Sequence, residues 1–191
     1  MGNNTSMIVS PQDRFAMGKA AASSDDNIVL IGMPGAGKST LGIVLAKILA
    51  YDFLDTDLVI QNRCDKTLQK LIDACGSEAF IEIENEILKD LSVNRTVIST
   101  GGSAVYSSKA MRHLASLGTI VYLKISYDSM ICRIQNLPER GVVFRNENAM
   151  SMQELYNERE PLYEKYADVI VNVDNLDIAS AARKIAESIQ E

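Results

Sequence analysis

Residues 27–40 read Asn27-Ile28-Val29-Leu30-Ile31-Gly32-Met33-Pro34-Gly35-Ala36-Gly37-Lys38-Ser39-Thr40. A short apolar run flows into Gly-x-x-x-x-Gly-Lys-Ser, the pattern of a phosphate-binding loop. Its glycines let backbone N–H groups turn inward around phosphate oxygens. Lys38 has the reach for the outer phosphates of a nucleotide, and the Ser39 hydroxyl can hold Mg²⁺. The spacing predicts a helix from about Lys38 to Ala50, whose positive N-terminus points at the same anion.

Outward from this loop, strand and helix signals alternate. Ile28–Ile31, Phe53–Leu54, Thr96–Ser99, Thr119–Ile125 and Val169–Val173 are short β-branched or aromatic runs. Leu41, Val44, Leu45, Ile48 and Leu49 fall at helical spacing, as do Phe80, Ile83, Ile87 and Leu91. Asp177 reads as the N-cap of a last helix with Ile178, Ala182, Ile185 and Ile189 on one stripe. Runs that are apolar throughout suit a parallel sheet buried on both faces. The alternation predicts a doubly wound α/β domain from Asn27 to Glu191, with ligands at the C-terminal ends of the strands. Residues 1–26 show no periodicity and read as a flexible leader.

Composition narrows the partners. The chain has 191 residues and a net charge of -6, a balance that speaks against a nucleic-acid partner. No apolar run approaches a membrane span, and no signal-peptide core is present. Cys64, Cys75 and Cys132 lack zinc spacing and read as reduced thiols, so a cytoplasmic location is expected. His113 reads as a packing or surface residue.

A phosphate loop alone does not separate a kinase from a GTPase or a motor. Four further segments bear on the question. Asp55-Thr56-Asp57 follows the second strand run. Asp55 can hold Mg²⁺ through water, and Asp57 can orient a substrate hydroxyl and draw off its proton. Alternatively, an Asp here caps a helix. Gly101-Gly102 ends the third strand run, either bringing backbone N–H groups close to a ligand or making a tight turn. Pro138 to Arg145 reads as a lid with cations, among them Arg140, or as a solvated loop. Arg159-Glu160-Pro161-Leu162-Tyr163 opens a helix whose Arg can grip a carboxylate or form a surface ion pair.

In this order and spacing the motifs resemble the shikimate kinase family, from about Asn27 to Glu191. Gly76-x-Glu78-Ala79-Phe80, Glu84 and Arg133 add to the likeness. The resemblance implies a nucleoside-monophosphate-kinase-like P-loop fold, a five-stranded parallel sheet in the order 2-3-1-4-5, and ATP with Mg²⁺ as donor. It implies that Gly35, Ala36, Gly37, Lys38, Ser39 and Thr40 cradle the phosphates, with Arg133 against the adenine. Ser39 and Asp55 serve Mg²⁺, and Lys38, Asp57 and Arg140 serve catalysis. Asp57, Gly101, Gly102 and Arg159 meet the acceptor, with Arg159 on the carboxylate of shikimate. A monomer or weak dimer is expected.

The chain departs from the family at the acceptor side. Phe80-Ile81-Glu82-Ile83-Glu84 stands where the family has Phe-Arg-x-x-Glu, and Ser103 stands for a third Gly. A lost charge-assisted hydrogen bond is worth about 1.5–3 kcal/mol. Either another cation, such as Arg63 or Arg145, replaces the missing Arg, or the acceptor is another polyol or hydroxy acid, for example of gluconate type. A non-catalytic module sensing ATP and a metabolite is the reading from a different class.

Overall fold

The computed structural model describes residues 26–135, 143 and 151–189. The leader, and the lid stretch with Arg140 and Arg145, lie outside the described residues apart from Asp26 and Val143. Five strands form one parallel sheet: β1 (Asn27–Ile31), β2 (Asp52–Asp55), β3 (Thr96–Ser99), β4 (Gly118–Lys124) and β5 (Val169–Asn172). Their order is β2-β3-β1-β4-β5, the order implied by the resemblance.

β1 is central because every one of its residues is buried. Val29 lies in register with Ile98 on β3 and with Ile120 on β4. A Leu or Ile so placed contributes about 1.5–3 kcal/mol relative to exposure. The edge strand β5 instead leaves Ile170 and Asn172 exposed. The helices are α1 (Lys38–Leu49), α2 (Thr56–Cys64), α3 (Leu68–Lys89), α4 (Ser108–Leu117), α5 (Tyr127–Gln135), α6 (Met152–Tyr166) and α7 (Ile178–Ser188). They flank the sheet, with α1 packed on α7 and α3 on α4. α3 breaks at Gly76, where φ is 78°. The expected cap at Asp177 is present, its carboxylate accepting from Ser180 N–H at 3.0 Å.

One sequence expectation needs correction. The Arg159 segment does not open a helix; it lies inside α6, which begins at Met152. Ser151 and Glu154 form a reciprocal capping box there, and this fixes the N-terminus ahead of Pro161. A small second core of Ile60, Leu71, Ile72, Phe80, Ile87 and Val143 lies apart from the main one.

Candidate active site

The sheet order brings the motif segments together. Asp55 on β2 is in register with Ser99 on β3, and Ser99 with Leu30 on β1. The segments that follow these three neighbouring positions therefore emerge side by side. They line a cavity of about 750 Å³ containing Lys38, Ser39, Asp55, Asp57, Gly101 and Arg159.

In the phosphate loop Gly35 and Gly37 hold φ at 78° and 88°, a region that a Cβ disfavours. No side chain caps α1 at Gly37, so the helix N-terminus is left for an anion. Lys38 Nζ donates to the carbonyls of Gly32 at 2.7 Å and Met33 at 2.9 Å. Ser39 Oγ lies 3.4 Å from Ser99 Oγ. On the other side of the loop Arg133, in the last turn of α5, reaches the carbonyls of Gly35 and Val173 at 3.4 and 3.5 Å. It lines a second cavity with Gly35, Ala36, Gly37, Thr40 and Leu176.

Asp55 accepts the Asp57 N–H at 3.0 Å and caps α2. It is thus the helix cap that the sequence allowed, while also facing the cavity. Gly101 does not present its N–H to the cavity, because that group donates to Thr56 Oγ1 at 3.2 Å. The reason for glycine here is space. A Cβ on Gly101 would lie 2.3 Å from Glu84 Oε1 and 2.9 Å from Asp57 Oδ1, and one on Gly102 would lie 2.9 Å from an Arg159 nitrogen. The pair lets two carboxylates and a guanidinium converge on one turn.

Arg159 is 1% exposed. Its Nε donates to Tyr106 Oη at 3.1 Å, its guanidinium lies over the Tyr106 ring, and another nitrogen donates to the Val143 carbonyl. The surface ion pair is therefore excluded for Arg159. Tyr106 also donates to Glu158 at 3.2 Å. Tyr106 is not legible locally, since nothing in its neighbourhood of sequence distinguishes an aromatic that orients a distant Arg.

The chain is similar to proteins of one known family. The shikimate kinase family model matches residues 34–190. A shikimate kinase from Colwellia psychrerythraea is 37% identical over 165 residues, spanning 85% of this chain and 96% of the relative. One from Shewanella denitrificans is 35% identical with the same coverage. Among solved structures, shikimate kinase from Acinetobacter baumannii in complex with shikimate superposes with a TM-score of 0.75 at 30% identity, covering 86% of this chain and 93% of that one. The Aquifex aeolicus shikimate kinase gives 0.72 at 31%, covering 86% and 96%. The chain belongs to the shikimate kinase family. It is accordingly a phosphotransferase with an alcohol group as acceptor.

The side expected to meet the acceptor carries Ile81 where the resemblance expects a cation. Ile81 does not line the cavity; it packs against the second core. Arg63 is no replacement cation, because it sits 3.7 Å from Asp90 at the surface. Lys70 does line the cavity, a contact the sequence analysis missed. It becomes visible only once Thr67 caps α3 and turns the first helical turn toward the site. No helix among the described residues is long and apolar enough to cross a membrane.

Proposed function

We propose that the protein phosphorylates a ring hydroxyl of shikimate with ATP, giving shikimate 3-phosphate. The observation that carries this reading is the single cavity holding Lys38, Ser39, Asp55, Asp57 and the buried Arg159. A solved relative described as a complex with shikimate supports the choice of acceptor.

The loop fits a nucleotide triphosphate, since Lys38 already lies over carbonyls at its mouth and α1 has no side-chain cap. Ser39 and Asp55 are hard oxygen donors facing the same space. They suit Mg²⁺, which prefers one or two protein oxygens completed by phosphates and water. Bound there, ATP–Mg²⁺ supplies the transferable phosphoryl group with its charge neutralised. Lys38 steadies that charge. Asp57 orients the acceptor hydroxyl and takes its proton as the oxygen bonds to phosphorus and the bridge to ADP breaks. Arg159, held by Tyr106, meets the acceptor carboxylate.

ADP release measured against shikimate, quinate, gluconate, sugars and nucleoside monophosphates tests the reading. Turnover of shikimate with the lowest KM is expected. Turnover of gluconate or a neutral polyol instead would move the acceptor to another class, and nucleotide binding without turnover on any compound would leave a sensor.

Ile81→Arg tests the acceptor wall. Glu84 lies three residues on, one turn along α3, and among the described residues no cation pairs with its carboxylate at hydrogen-bond distance. An Arg at 81 reaches it at i,i+3 spacing and brings a second guanidinium to the acceptor. The expected result is a shikimate KM lower by about tenfold, the worth of one charge-assisted hydrogen bond. No gain in affinity would place the acceptor carboxylate away from this wall.

A further inference from the structure

Glu84 is 1% exposed, and among the described residues neither carboxylate oxygen makes a hydrogen bond of full geometry, the facing Ser103 hydroxyl offering only a weak one. Buried polar atoms are rarely left this way, and such an exception calls for a reason. Charged and titratable groups face it from several elements. Asp57 comes from α2, Ser103 from the turn after β3, Arg159 and Tyr163 from α6, and Lys38 from the phosphate loop. Near α4, Ser107 bonds Asn85 and Tyr106 bonds Glu158, so neither side chain serves Glu84. Ile81, on the preceding turn, brings no cation.

Glu84 therefore lies just behind the cavity lining, beside Gly101 and the Asp57 carboxylate and within the field of Arg159. An anion placed against Arg159 enters the neighbourhood of two carboxyl groups. We propose that Glu84 sets the charge this acceptor site tolerates: an anionic acceptor binds beside Arg159 only when Glu84 is neutral, so its binding takes up a proton at Glu84. The proton comes from solvent and returns there when the product leaves. A neutral Glu84 removes one of the repelling charges and leaves an O–H that can donate. The inference rests on the acceptor being a carboxylate, as in the function proposed above.

The protonation balance makes the coupling measurable near neutral pH. Burial, the largest influence, pushes the Glu84 carboxyl up. The Ser103 hydroxyl pulls it down, Asp57 pushes it up, and Arg159 and Lys38 pull it down, leaving it at about 7. Below that pH the site is ready for an anion; above it, a proton must be taken up first. Shikimate dissociation constants should therefore rise about 20-fold between pH 6.5 and 8.5. Those of a neutral analogue with a carboxamide in place of the carboxylate should stay flat. Calorimetry at pH 8 in two buffers of different ionisation enthalpy should show about one proton taken up per shikimate bound. Glu84→Gln should abolish both the slope and the uptake.

A flat shikimate profile, or binding without proton uptake by the unaltered protein, overturns the proposal even if Glu84→Gln fails to fold. Shikimate binding with that flat profile leaves the proposed function standing. Failure of shikimate to bind at any pH overturns the acceptor reading and this proposal together.

Discussion

Lys38→Met should fold and bind shikimate, yet lose about 10²–10³-fold in kcat, the usual cost of removing one preorganised charge-stabilising donor. The Lys38 ammonium lies 2.7 and 2.9 Å from two carbonyls of its own loop. It stands at the uncapped start of α1, where the proposed function puts the outer phosphates of the nucleotide. Methionine keeps the length of the apolar stem and removes only the charge and its donors. Gly35 and Gly37 fix the loop through their own backbone angles, so the fold of the loop does not depend on Lys38. Losing two hydrogen bonds to carbonyls costs about 2 kcal/mol of stability, a fall of about 4–8 °C in Tm for a chain of this size. Steady-state ADP release and a thermal melt check both halves. Retained kcat would remove Lys38 from the transfer step.

The contrast between this loop and the acceptor wall shows what a linear sequence reveals. The loop is contiguous, so its residue types, its glycine angles and the helix behind it are all encoded within a few positions. β1 and β3 were legible for the same reason, as runs apolar enough to be buried on both faces. Sheet order was not legible locally, because strand neighbours are set by long-range pairing. It came with the family resemblance. The start of α6 is encoded locally, in the capping box Ser151-x-x-Glu154, ahead of the more conspicuous Arg159 and Pro161.

Glu84 is the harder case. Locally, a Glu on α3 reads as one more residue of an amphipathic helix, and only the family resemblance singles it out. Its burial arises only when Gly101, Ser103 and Arg159, from distant parts of the chain, close over it. The same holds for Gly101, whose importance lies in the space it vacates and not in its N–H, which Thr56 has taken.

Asp57→Asn should cost about 10²–10⁴-fold in kcat, the range for removing a general base, with nucleotide affinity little changed. Asp57 stands in the first turn of α2, its N–H bonded to Asp55 and its carboxylate facing the cavity. The backbone contact survives the substitution, so the helix cap and the Asp55 position are kept. Asparagine still orients a hydroxyl but takes no proton from it. The variant has a second, independent signature. The Asp57 charge helps to hold the Glu84 carboxyl up, so removing it lets Glu84 ionise at lower pH. Under the coupling proposed above, the pH at which shikimate binding begins to weaken should move down in Asp57→Asn, even though little turnover remains to be measured. Binding titrations across pH 6–8.5 read that shift, while rapid-quench kinetics read the loss of the transfer step. An Asp57→Asn protein within tenfold of the unaltered kcat would take the base role away from this residue. An unmoved pH profile beside a lost kcat would instead keep the base and separate Asp57 from Glu84, leaving burial, Ser103, Arg159 and Lys38 to govern the Glu84 charge.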